Sequence, residues 1–251
     1  MSALAALVAL LLALVPLEAA AFGDRTIVDI RMVEIAGASL PRPTAALRLA
    51  WETRQRTSVE TRLPPTSVKL SDPKLFESGL VYWAGDSAFA PLSEAEVTGL
   101  RRFVEFGGFV MIDDAAPTRD DASTGFDASI RRELARAFGE NELRKMPATH
   151  TVYRSFYLLE RPYGRIAGSE SLEMIERGGR AAVIYSRHDL GGAWDRDNLG
   201  NYYHAVEPGG DSQREMAVRL GVNLVLYALC LDYKDDQVHS PFIMRRRAGQ
   251  P

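Results

Sequence analysis

The sequence predicts an α/β domain: a mostly parallel sheet with helices on both faces. Three observations carry this. Two solid apolar runs, Gly79 to Gly85 and Phe109 to Ile112, have the character of strands covered on both sides. Segments of helical period lie between the strand-like segments. Strand and helix then alternate through about 230 residues, which favours right-handed parallel crossovers in one domain.

Thr26 to Val33 is β-branched and partly alternating, and reads as the first strand, closed by Pro41 and Pro43. Residues 44–56 place Leu47, Leu49, Ala50 and Trp51 near one face, as an amphipathic helix does. A short strand is expected around Ser67 to Leu70, and the run ending at Gly85 is expected to be central. Ser93-Glu94-Ala95-Glu96 has the form of a capping box. Val97, Leu100, Phe103 and Val104 follow at helical spacing until Gly107-Gly108. The Phe109–Ile112 strand leads into Asp113-Asp114. A helix is expected over Ser129 to Phe138, and short strands over Leu172–Ile175 and Ala181–Tyr185, joined by Arg177-Gly178-Gly179-Arg180. Residues 189–211 read as one long loop, and Ser212 to Leu231 as a long apolar helix.

Ahead of this domain, residues 2–17 form an uncharged Ala/Leu/Val run, shorter than the ~20 residues that span a membrane. Ala19 and Ala21 supply small residues for a cleavage site. The expectation is a secretory signal over residues 1–21, cut before Phe22, and a single domain over 22–251 in the periplasm or otherwise exported. The n-region carries no Lys or Arg, so an uncleaved membrane anchor is the alternative. With cleavage, no stable membrane span is expected.

Composition narrows the function. Thirty Lys plus Arg against 33 Asp plus Glu give a net charge of -3, so no basic field exists to hold a nucleic acid, and none is expected as partner. One cysteine, Cys230, excludes an internal disulfide and a cysteine-rich zinc site. Its neighbours Leu226, Tyr227, Leu229 and Leu231 predict a hidden thiol. Serine-hydrolase, P-loop and dinucleotide-binding motifs are absent. The four histidines, at 150, 188, 204 and 239, have no metal-ligand spacing. No cofactor and no zinc are expected, though an oxygen-rich Mg²⁺ or Ca²⁺ site built from Asp residues stays open.

Residues 70–114, LSDPKLFESGLVYWAGDSAFAPLSEAEVTGLRRFVEFGGFVMIDD, together with HTVYRSFY at 150–157 and the segment 221–247, resemble the bacterial DUF4159 family. Thr151 stands where that family usually has proline. The resemblance implies a fold similar to class I glutamine amidotransferases, flavodoxin-like in architecture. It implies no established activity. It also implies the company of MoxR-type ATPases and von Willebrand A-domain proteins of the cell envelope. In such a fold the nucleophilic cysteine sits on the turn after a central strand. Here that place holds Asp113-Asp114-Ala115-Ala116, so glutaminase chemistry is excluded.

Candidate catalytic residues are Asp113 and Asp114, at the carboxyl edge where doubly wound sheets hold their ligands, with His188 and Asp189 after the Ala181–Tyr185 strand. The plainer account makes one Asp a helix cap and pairs the other with Arg131 or Arg132. Asp86 and Ser87 occupy the equivalent edge after Gly85, where they can face Asp113 across a crevice or simply form a turn. Arg132, His150, Arg154, Tyr185 and Trp194 complete the candidate ligand-binding set, each with a structural role as the alternative. Trp194, Tyr202 and Tyr203 suit a sugar-stacking or protein-binding loop, or a loop packed on the sheet. Arg245-Arg246-Arg247 reads as a solvated terminus. The expected function is that of a non-catalytic envelope interaction domain. The alternatives are a glycan or peptide hydrolase using Asp113 or Asp114 with His188 and Asp189, and a carbohydrate-binding module.

Overall fold

The computed structural model describes residues 27–38, 40–117 and 125–248, with 231–248 described by their helix alone. The expected signal over residues 1–21 and the side chains of His239 and Arg245 to Arg247 lie outside the described residues.

In chain order the elements are β1 (Arg31–Val33), α1 (Ala45–Arg56), β2 (Ser67–Val68), β3 (Leu80–Gly85), α2 (Glu94–Glu105), β4 (Phe109–Asp114), α3 (Gly125–Phe138), β5 (Arg144–Lys145), β6 (Glu173–Arg177), β7 (Arg180–Ser186), α4 (Leu190–Trp194) and α5 (Gly210–Ala248). Short 3₁₀ turns cover Pro73–Glu77 and Thr151–Arg154. The seven strands form one sheet in the order β2-β1-β3-β4-β7-β6-β5. All pairings from β2 to β7 are parallel, and those of β6 with β7 and of β5 with β6 are antiparallel.

The solid apolar runs are central because both of their faces are covered. Leu80, Tyr82, Phe109 and Met111 pack with α1, α4 and α5, while Val81, Trp83, Val110 and Ile112 pack with α2 and α3. Alternation along one strand therefore fills two cores. The capping box at α2 forms in both directions: the Ser93 side chain accepts from the Glu96 amide, and the Glu96 carboxylate accepts from the Ser93 amide at 2.8 Å. Gly178 and Gly179, both at positive φ, turn β6 directly into β7 with Arg177 facing Arg180.

Several boundaries differ from the sequence reading. The first strand is continuous only over Arg31–Val33, with an isolated parallel bridge from Val28 to Thr61; between the two, the Asp29 carboxylate accepts from the Thr66 amide and hydroxyl, at 3.1 and 2.6 Å. β4 runs two residues further than its apolar stretch and includes both aspartates. The expected loop 189–211 opens with a helical turn, α4. Cys230 is exposed and not hidden: on α5 the residues buried against the sheet are Leu224, Val225, Tyr227 and Ala228, and position 230 faces away from them.

Candidate functional site

Because β4 continues through Asp114, its last two side chains point to opposite faces of the sheet. Asp113 enters the core beneath α4. It accepts from the Leu190 and Gly191 amides at 2.9 and 2.7 Å and from the Tyr82 hydroxyl at 3.0 Å. Burial, and then the neighbouring Asp189 charge, push its carboxyl up to about 8. Asp114 lies toward the α2 and α3 face, buried, and its Oδ1 accepts from the Ala116 amide at 2.9 Å. The two carboxylates therefore do not form a dyad.

Asp189 sits beside them at φ 51, in the left-handed region. It caps α4 through the Gly192 amide at 2.9 Å. Its carboxylate takes a two-pronged bond from Arg42 at 2.9 and 2.8 Å, and a further bond from Arg165 Nε. Arg42 also donates to the Ala115 carbonyl at 2.9 Å, and its Nη1 lies 3.1 Å from Nε2 of His204. Burial, with Arg42 next, holds the His204 imidazole below its ordinary value. Gly191 and Gly192 allow this closeness. A Cβ at 191 would come 2.5 Å from the Tyr82 oxygen, and one at 192 would be driven into the Asp189 carboxylate.

His188 is buried, walled by Gly164 and Gly168, where a Cβ would strike the carbonyls of residues 188 and 187. Its Nε2 donates to the Ser169 carbonyl at 2.7 Å, which leaves Nδ1 to accept from the Ser186 hydroxyl at 3.3 Å. Both ring nitrogens are engaged within the fold. The structure thus brings Asp113, Asp114, His188 and Asp189 to one sheet edge, but as a packed polar layer.

The remaining candidates scatter. Arg132 donates to Glu133 at 2.6 Å and to the Phe89 carbonyl at 3.0 Å, while Arg131 pairs with Asp127 and Glu173. Both therefore bond elsewhere, and the arginines that pair with Asp189 are Arg42 and Arg165, which residue spacing could not reveal. Tyr185 donates to Asp127 at 3.1 Å, with its hydroxyl raised well above its ordinary value by burial. His150 caps the 3₁₀ turn, its Nδ1 accepting from the Val152 amide at 3.2 Å, and burial lowers its pKa. Arg154 is exposed on the same turn. Trp194 is in the core, its indole donating to the Ala217 carbonyl at 3.0 Å, so it presents no stacking face to solvent.

An open crevice of about 290 Å³ does exist at this edge, between the carboxyl ends of β1 and β3, where the strand order reverses. Ile35, Leu40, Trp83, Phe89 and Phe126 line it, with Glu34, Asp86 and Ser87 among its polar groups. The Ser87 hydroxyl donates to Asp86 at 3.0 Å. Asp113 is not in its wall, so Asp86 and Asp113 do not face each other across it. Glu34 escaped the sequence reading because no motif or spacing marks the residue after Val33 as part of a crevice. Among the described residues no group of three His, Cys, Asp or Glu could hold a metal ion, and no helix is long and apolar enough to cross a membrane.

A crystal structure of the flavodiiron protein from Giardia intestinalis is similar at 12% identity and a TM-score of 0.34, over 83% of this chain and 37% of that one. The chain spans little more than a third of that protein, and a likeness at this level carries no argument. No curated protein matches. The model of the domain of unknown function DUF4159 matches residues 30–229, a span that takes in every strand of the sheet and the whole polar layer around Asp113 and Asp189, and the chain belongs to that family.

Proposed function

We propose that this chain is an exported, non-catalytic binding domain of the cell envelope: an amidotransferase-like scaffold without the nucleophile, which acts by engaging a protein partner. One observation carries the reading. Two of the candidate catalytic acids at the sheet's carboxyl edge are consumed internally: Asp113 by two amides and a tyrosine, Asp189 by two arginines and its own helix. A general base or nucleophile must reach the substrate's proton or reacting atom, and these groups are buried. The Ala/Leu/Val leader supports export, and the family's company of MoxR-type ATPases and von Willebrand A-domain proteins supplies the class of partner.

The test uses the full chain in two assays. Incubated with muropeptides, glycan fragments, peptides and glutamine, it is expected to release no product above a buffer blank, read by mass spectrometry. Turnover that disappears in a folded Glu34→Gln, Asp86→Asn or Asp114→Asn variant would overturn the reading in favour of a hydrolase. Mixed with a purified von Willebrand A-domain protein of the same cell envelope, the chain is expected to co-elute on size exclusion, and separate elution counts against that class of partner.

A further inference from the structure

On the α1 side of the sheet, away from the polar layer, lies an open cleft of about 430 Å³. Its walls are the outer face of α1, the first turns of α5 and the loop after α4. Four arginines, 48, 56, 196 and 214, line it against three acids, Glu52, Asp211 and Glu215.

The charges are unevenly matched. Arg56 is spent: it bonds Glu52 at 2.7 Å and Glu215 at 2.7 and 2.9 Å, and Arg219 adds a second cation to Glu215 at 2.9 Å. Arg48 shares Glu52. The other half of the cleft has no such compensation. Arg214 is buried and donates to two neutral carbonyls, Ala193 and His204, at 2.8 and 2.7 Å. Its nearest carboxylate is the fully exposed Asp211, at 3.9 Å. Arg196 has no carboxylate partner among the described residues and donates to the Tyr202 hydroxyl.

Two aromatic rings hold these cations in place. The Tyr202 ring has Arg196 at 3.8 Å and Arg214 at 3.6 Å from its centre. Two guanidinium groups that close to one centroid must take opposite faces, so neither face is left for a sugar. Trp51 carries Arg48 at 4.0 Å. Cation–π contact fixes orientation but does not satisfy N–H groups. The Nε atoms of Arg48, Arg196 and Arg214 are all buried with no acceptor. Arg196 is held below its ordinary pKa by burial and then by Arg48, which marks excess positive potential.

We infer that this cleft is a binding site for a small organic anion, whose carboxylate or phosphoryl oxygens are received by Arg196 and Arg48. The volume suits a small molecule, planar guanidinium edges suit oxyanions, and Arg196, with no carboxylate partner among the described residues, leaves a positive charge in the cleft wall that such an anion would balance. This site is independent of the partner-binding reading.

The experiment measures thermal unfolding and calorimetric binding of the full chain with sodium phosphate and with sodium citrate, each against sodium chloride at matched ionic strength. At about ten times Kd, an anion that binds the native state is expected to raise the midpoint by about 3 °C. Arg196→Gln is expected to weaken binding at least tenfold, while Arg144→Gln, on the far edge strand, leaves it unchanged. A response to phosphate alone identifies a phosphoryl ligand, to citrate alone a carboxylate ligand, and to both a general oxyanion pocket; each supports the inference. No rise beyond chloride with either anion overturns it, as does a full wild-type rise in Arg196→Gln. If that variant does not fold, Arg48→Gln is read by the same criteria.

Discussion

Arg42 and Asp189 lie 147 positions apart in sequence and meet through two parallel bonds, Nε to Oδ1 at 2.9 Å and Nη2 to Oδ2 at 2.8 Å. The pair joins the segment before α1 to the turn after β7, across the carboxyl ends of β3 and β4. The same guanidinium reaches the Ala115 carbonyl just after β4. One ion pair therefore closes this edge over β3 and β4, and leaves open the crevice between β1 and β3.

Removing one partner of such a pair strands a buried charge. Asp189→Ala leaves Arg42 and Arg165 facing each other without an anion and removes the cap of α4. The expected loss is about 3–5 kcal/mol of stability, read as the urea-unfolding free energy. Asp189→Asn, which tolerates the left-handed backbone and keeps one acceptor, is expected to lose less. Equal losses in the two variants would show that the charge contributes nothing.

Asp113 predicts a pH dependence whose sign follows from burial. Its folded-state carboxyl is raised from 3.8 to about 8, so across that interval the folded chain holds a proton that the unfolded chain has released. Stability contributed at this position is greatest below the unfolded value. It falls as pH rises through the interval, by at most about 1.4 kcal/mol per pH unit. Asp113→Asn is expected to flatten that slope while lowering stability overall, since an amide nitrogen would face a backbone N–H. Urea midpoints measured from pH 4 to 9 check both effects, and an unchanged slope in the variant counts against the assignment.

Asn223 on α5 pins the turn that contains the His150–Tyr157 motif. Its oxygen accepts from the Phe156 and Tyr157 amides at 3.2 and 2.7 Å, and its amide donates to the Val152 and Tyr157 carbonyls, both at 2.9 Å. Asn223→Ala leaves four backbone groups without this partner and is expected to cost about 2–4 kcal/mol. Hydrogen exchange is expected to quicken over residues 151–158 first; uniform quickening would sink the local account.

Cys230 is exposed, so a thiol reagent is expected to titrate one thiol per chain in the native state, without denaturant. Reaction only after unfolding would return the side chain to the core.

Much of the architecture was legible because its signals are local. The apolar run Leu80–Gly85, the box at Ser93 and Glu96, and the two glycines at 178 and 179 each dictate a conformation from a few neighbouring residues. The polar layer was legible only as a set of names. Asp113, Asp114, His188 and Asp189 do converge, but their roles depend on Arg42 and Arg165, distant in sequence and unmarked by any spacing. The strand's extension through Asp114 hid for a related reason: aspartate is a poor strand former, and the amides of α4 offset that cost at Asp113. Cys230 misled because an apolar neighbourhood in sequence spans every side of a helix, and only one side meets the sheet.

Both margins of the sheet are two-residue strands, β2 and β5, and on β5 Arg144 is tied to Glu176 of the adjoining strand. So short and charged a margin offers almost no free ladder to a visiting chain. Strand addition, one of the ways an extended peptide docks on a sheet, would therefore find little backbone to pair with here, and a partner of the kind proposed would have to recognise side chains on helices and loops.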